Sequence, residues 1–153
     1  MSGVCLFISG QNSSLLSKIA KELEGQLLER DIAVEFIDID KEEILLDLTK
    51  EKKLEIVIHF CKLFVRNNIS LILKSDDIKI KDIIDIKKKI LITDRRDIPY
   101  AEVLVSSDIK DSVINIIKTL EHLNFIKRLE GSSYSNEEDI KVQERLRGLG
   151  YIE

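Results

Sequence analysis

The chain has 153 residues, 44% hydrophobic and 34% charged, and its 28 acidic and 24 basic side chains leave a net charge of −4. That supply of Ile, Leu and Val excludes a disordered chain and suffices for the core of one domain. The acidic balance excludes a general nucleic-acid binder, which needs surplus cations to neutralise phosphates, and no apolar run approaches the roughly 18 to 20 residues that cross a bilayer.

In chain order, Val4 to Ile8 is a continuous apolar run bounded by glycines, as expected of a strand buried on both faces. From Ser13 to Arg30 the residues Leu16, Ile19, Ala20, Leu23, Leu27 and Leu28 recur at helical spacing, with charges opposite. Ala33 to Ile39 reads as a second strand and Leu54 to Val65 as a helix closed by Asn67 and Asn68. Ile69 to Leu73 is a third strand, apolar enough to be central. Ile78 to Lys88 reads as a helix, although its alternating isoleucines also suit a strand. Ile90 to Thr93 and Val103 to Val105 are short strands on either side of Pro99. Ser107 to Leu123 is a helix with Asp108 as its candidate cap and Val113, Ile116, Ile117 and Leu120 as its stripe. Strands alternating with helices of these lengths predict a parallel sheet covered on both sides. Beyond Phe125 the composition changes. Gly131 to Asn136 reads as a linker, and Glu137 to Leu149 as an amphipathic helix suited to docking on a partner or on its own domain.

Few residue groups suggest chemistry. Cys5 and Cys61 lie inside apolar segments and form neither a disulfide framework nor a zinc site. His59 and His122 lack metal-ligand spacing, so no metal is expected. The run KIKDIIDIKKK is a candidate basic patch, weighed against a solvated helix face. With no basic segment leading into a long apolar stretch at the N-terminus, the expectation is a soluble, cytoplasmic protein.

The informative stretch is Ser9 to Ala20, SGQNSSLLSKIA, between the first strand and the first helix. A phosphate loop of the form G-x-x-x-x-G-K-[S/T] would stand there. Gly10 and Ser17 fall in register with it, but its second glycine is Leu15 and its lysine is Leu16. The glycines of such a loop let backbone N–H groups approach phosphates, and the lysine neutralises their oxygens. The candidate phosphate contacts that remain are Gly10, Gln11, Asn12, Ser13, Ser14 and Ser17, through backbone donors at a helix N-terminus or through hydroxyls. Ser13 and Ser14 serve equally well as helix caps.

Three separated segments resemble the adenylylsulfate (APS) kinases of the P-loop fold. GVCLFISGQNSSLLSKIAKELEGQLLERDIAVEFIDID is similar to their strand, phosphate loop, helix and second strand. That second strand ends in D-G-D-x-x-R in the family and in Asp38-Ile39-Asp40-Lys41-Glu42-Glu43 here. FCKLFVRNNISLIL is similar to their A-K-L-hydrophobic segment and the strand that follows. PYAEVLVSSDIKDSVINIIKTLEHLNFI resembles their last strand and helix. The resemblance implies a three-layer P-loop kinase-like fold of the α/β class, with a central parallel sheet covered by helices on both faces. It divides the chain into a domain over 1–126, a linker over 127–136 and a C-terminal amphipathic helix over 137–153.

Set against that family, the chain departs at the places where phosphoryl transfer needs charge neutralisation and a positioned acceptor. Asp38 and Asp40 are substrate-site remnants, and Asp40 is a vestigial counterpart of the general base. The substrate arginine is replaced by Glu43, and the arginine before the middle helix by Glu55 or Ile56. The long basic lid shrinks to Ile90–Val103, with Arg95 and Arg96 as its remnant or as plain exposed loop arginines. The expectation is a catalytically inactive APS-kinase-like protein, an interaction or regulatory subunit linked to sulfate activation. One alternative is a sensor binding APS, PAPS or another adenine nucleotide without turnover. Another is an active small-molecule kinase with relocated basic residues such as Lys41 or Arg95. No cofactor is expected, with ATP and Mg²⁺ bound only if residual affinity persists. Expected partners are a second copy or a related protein, and a protein for the C-terminal helix, with no nucleic acid and no membrane.

Overall fold

The computed structural model describes residues 3–77, 79–128 and 136–152. Strand β1 (Cys5–Ile8) leads into helix α1 (Ser13–Glu29), then β2 (Val34–Asp38), a single turn α2 (Glu43–Leu46) and α3 (Lys50–Arg66). Next come β3 (Ser70–Lys74), a second single turn α4 (Ile80–Ile83), β4 (Lys89–Thr93), β5 (Val103–Leu104), α5 (Ile109–His122) and α6 (Asn136–Gly148). The strands form one five-stranded sheet in the order β2-β3-β1-β4-β5, and every pairing is parallel.

The sheet is covered on both faces because the interior positions of its central strands are all apolar. Successive side chains of a strand point to opposite faces. Leu6 and Ile8 of β1 therefore join Ile19 and Leu23 of α1 and Ile116 and Leu120 of α5 in one cluster. Cys5 and Phe7 join Val57 and Cys61 of α3 in the other. This is the three-layer α/β architecture expected from the sequence. Both cysteines are buried packing groups, and a hydrogen bond with Cys5, reinforced by burial, holds the Cys61 thiol well above its ordinary pKa.

Local signals fix the helix ends. The side chains of Asn12, Thr49 and Asp108 accept hydrogen bonds from the N–H groups of Leu15, Lys52 and Asp111, capping α1, α3 and α5. Thr49 explains why α3 starts at Lys50 and not, as the apolar spacing suggested, at Leu54. The three helices end on left-handed residues, Asp31, Asn68 and Asn124, with φ of 60°, 62° and 59°. In each, the next residue's N–H reaches back to the helix, from Ile32 to Leu27, Ile69 to Phe64 and Phe125 to Leu120.

One element differs from expectation. The helix read over Ile78 to Lys88 is only the turn Ile80–Ile83, and Ile78 lies outside the described residues. Ile84 turns extended, with φ −88° and ψ 118°, and it is buried with Ile80 in the α3-side cluster. β-Branched isoleucines give weak helix propensity, so burial of these two side chains decides the path. The basic run is not a solvated helix face either. Lys89 Nζ donates to the carbonyls of Lys81 and Ile84 at 2.9 and 2.7 Å, and Lys81 pairs with the buried Glu102.

Most of the expected linker, residues 129–135, lies outside the described residues. The final helix docks on its own domain. Val142 and Leu146 are buried, and the Arg145 guanidinium donates to the Ala101 carbonyl from Nε at 3.0 Å and Nη2 at 2.7 Å. Asp139 accepts from Lys118 of α5 at 2.6 Å and stands 3.2 Å from His122. The Lys118 bond, partly offset by desolvation, holds the Asp139 carboxyl below its ordinary pKa. Tyr151 beyond α6 donates to Glu102 at 2.7 Å. The tail thus braces the connection between β4 and β5, the segment that the resemblance had reduced to a lid remnant. No described helix is long and apolar enough to cross a membrane.

Candidate functional site

Strand order reverses at β1, which has β3 on one side and β4 on the other. In an open parallel sheet the crevice at the carboxyl ends of such strands is where ligands bind. The residues converging there are Ser9 and Gly10 after β1, Lys74 at the end of β3, Asp38 at the end of β2, and Thr93 and Asp94 at the end of β4.

The loop after β1 closes around an acidic side chain. The backbone N–H groups of Gln11 and Asn12 donate to the two carboxylate oxygens of Asp94, at 2.8 and 2.9 Å. Gly10 is required by this contact: a Cβ there would lie 2.0 Å from Asp94 Oδ1. Nothing about its backbone angles calls for glycine, since its φ is not positive. Two backbone donors at the start of α1 are thus taken by the protein's own anion.

The leucines complete the change. Leu16, at the position of the loop lysine, is 1% exposed and belongs to the α1–α5 core, with Leu15 packed against it. A cation nevertheless reaches this corner from another strand. Lys74, 3% exposed, donates from Nζ to Ser13 Oγ at 2.6 Å and to Asp38 Oδ2 at 3.3 Å. Lys41 and Arg95, the basic residues weighed for such a role, are not in the crevice. Lys41 is exposed, and Arg95 pairs with Asp97 at 2.6 Å, which holds the Asp97 carboxyl below its ordinary pKa.

The other sequence-selected residues divide clearly. Asn12 is the cap of α1, so Ser13 is left to receive Lys74. Ser14 is exposed and Ser17 half-buried, and neither hydroxyl has a protein partner among the described residues. Arg96 is exposed on the loop surface. Asp38 Oδ1 accepts the Asp40 N–H at 3.2 Å, which folds the β2 end into a tight turn. Asp40 Oδ2 accepts the Asp76 N–H at 2.8 Å, and Lys53 Nζ stands 4.0 Å away.

Partial burial raises the Asp40 carboxyl above its ordinary 3.8, against the lowering effect of the Asp76 N–H. The folded form therefore keeps that proton to higher pH than the unfolded chain. Its ionisation subtracts from stability as the pH rises through the window just above 3.8. Beside Asp40 an open cavity of about 330 Å³ is lined by Lys50, Lys53, Ser75 and Asp77 over Ile39 and Val57. Among the described residues no group of His, Cys, Asp and Glu is arranged to hold a metal ion.

Sequence reasoning missed Lys74 and Asp94, which lie 61 and 82 residues from their loop partners Ser13 and Asn12. The signal available was that each is the first charged residue ending an apolar strand, in a fold whose strand ends converge.

Sheet order, loop position and helical layers together define a P-loop-kinase-like fold of the APS-kinase form. Solved structures carry the same arrangement. A cysteine-to-alanine variant of APS kinase CysC from Mycobacterium tuberculosis superposes with a TM-score of 0.63 at 18% identity, over 78% of this chain and 98% of that one. The hexameric APS kinase from Thiobacillus denitrificans gives 0.65 at 17% identity over 83% of this chain, which spans only 30% of that longer one. CysC from M. tuberculosis in complex with AMPPNP and APS gives 0.51 at 15% identity over 95% of this chain and 96% of that one. At these identities the likeness establishes the fold. No protein-family model and no curated protein matches the chain by sequence.

Proposed function

We propose that the protein is an APS-kinase-like domain that does not transfer phosphoryl groups and serves as an interaction or regulatory subunit linked to sulfate activation. The observation that carries this reading is the Asp94 carboxylate held by the Gln11 and Asn12 N–H groups. Phosphoryl transfer depends on fixed donors and cations facing the transferred group. Here the donors face a carboxylate of like charge to the substrate, and the loop cation is a core leucine. The sulfur link rests on the fold shared with APS kinases. The hexameric relative supports a self-associating subunit, either a homodimer or a heterodimer with an active relative. The test is ATP- and Mg²⁺-dependent phosphorylation of APS by the purified protein. The expected rate is the no-enzyme background, and turnover above it overturns the reading.

A second reading is favoured by the cavity beside Asp40. Its lining sets Lys50 and Lys53 beside Asp40 and Asp77 over an apolar floor. On this reading the two lysines would meet the anion of APS or PAPS, which the domain would sense without reacting. Micromolar binding of either compound without turnover would select the sensor over the interaction subunit.

A further inference from the structure

We infer that a basic cavity at the amino ends of β1 and β4 is a docking surface for an acidic segment of a protein partner. The inference goes beyond the functional reading and holds whether or not the chain transfers phosphoryl groups, since the two surfaces lie at opposite ends of the sheet. It starts from the basic run KIKDIIDIKKK, which the structure splits. Lys81 and Lys89 turn inward, to Glu102 and to the carbonyls of Lys81 and Ile84. Lys87 and Lys88 instead line an open cavity of about 370 Å³, together with Lys62 and Arg66 of α3. The backbone fixes this meeting. The Cys5 N–H donates to the Lys88 carbonyl at 2.9 Å and the Gly3 N–H to the Val65 carbonyl at 3.0 Å, so both segments are tied to the start of β1.

Nothing inside the protein accounts for the charge gathered there. Among the described residues none of these four side chains has an ion pair or a hydrogen bond. Arg66 suits the carboxyl end of α3, where the helix dipole favours a cation. Lys62, however, stands four residues before it, a spacing at which like charges on a helix repel. Lys87 and Lys88 then add two more cations from a separate segment, and Asp85 is the one acid on the lining. A concave cluster of one sign focuses its field outward and draws in the opposite charge, here on a chain whose net charge is −4.

The lining also decides the kind of partner. Val65, 9% exposed, and the half-buried Ile86 add apolar surface for one inserted side chain. Among the described residues no aromatic ring lines the cavity to stack a base. The negative charge of the whole chain also repels a nucleic acid that runs past the cavity. Carboxylates around one apolar side chain match both features of the lining, as complementary interfaces do.

The experiment titrates the full chain into a fluorescent peptide of glutamates flanking one leucine, followed by anisotropy at low salt. The variants are Lys62→Gln with Lys87→Gln, both exposed, and the control Lys79→Gln, exposed outside this cavity. Melting temperatures equal to wild type establish that both are folded. Exposed ion pairs are each worth a few-fold in affinity at most, so the double variant is expected to bind about fivefold more weakly. The control should bind like wild type, and binding should fade as salt rises.

A wild type that does not bind the peptide overturns the inference, as does a double variant that binds equally well. Equal binding of a peptide with glutamines in place of its glutamates overturns it too. Tighter binding of a single-stranded oligonucleotide of the same charge would assign the surface to nucleic acid instead. Self-association of wild type in sedimentation, lost in the double variant, would give the face to a second copy of the chain and also overturn it. Failure of the peptide to bind leaves the functional reading standing, whereas phosphorylation of APS by wild type defeats that reading and leaves the docking surface untouched.

Discussion

Leu16→Lys, which puts back the lysine of the phosphate-loop pattern, is expected to cost about 4 kcal/mol of stability and to bring no nucleotide binding. Leu16 is 1% exposed and packs among the α1, α5 and sheet residues of the larger core. The substitution removes that packing and sends an ammonium into apolar surroundings, where it must either deprotonate or pry α1 from the sheet. In a chain of this size the loss corresponds to a fall of about 10 °C in melting temperature. Urea unfolding of the variant beside wild type measures it. A working loop lysine would reach outward to a phosphate, and its replacement by leucine would then be readily reversed. A variant with wild-type stability that also binds ATP would show that position 16 still faces the crevice.

Lys74→Ala is expected to cost about 3 kcal/mol, the largest loss of any charged residue near the loop. The Lys74 side chain is 4% exposed and that of Asp38 15% exposed, at 3.3 Å from one another. Removing the lysine leaves the carboxylate among poorly hydrated neighbours and strips Ser13 Oγ of its donor. Lys74→Met retains most of the volume and isolates the charge effect. In the double variant Lys74→Met with Asp38→Asn, much of the loss should return, because the uncompensated charge is gone. Chemical denaturation of the four forms closes the cycle. Purely additive losses would mean that the two groups do not interact in the folded protein.

The fold was largely legible in the sequence, because its signals are local and repeated. The short apolar runs VCLFI and ISLIL read as strands buried on both faces, and both are buried strands. The helix stripes and the Asn67-Asn68 ending are where the periodicity put them. The misread segment after β3 is one where two local rules conflict, isoleucine alternation against lysine-rich helical spacing. The outcome there depends on Ile80 and Ile84 being buried under a neighbouring sheet. The site was half legible. The degenerate loop could be read directly, since its defects are deviations from a spacing rule. What fills it could not, because Asp94 and Lys74 reach it through strand order, which no short-range pattern encodes.

The tail helix shows the same limit. Its amphipathic face was plain, but whether that face met a partner or its own domain was decided by pairings far along the chain, Arg145 with Ala101 and Asp139 with Lys118.

The proposed loss of phosphoryl transfer turns on the Gln11 and Asn12 N–H groups being held by the protein's own carboxylate. Calorimetric titration of the wild-type protein with ATP and Mg²⁺ probes that contact without altering a residue. The expected result is no saturable heat at micromolar nucleotide, and at most weak binding in the millimolar range. A micromolar dissociation constant for ATP, with the Gln11 and Asn12 amides shifting as it binds, would contradict it.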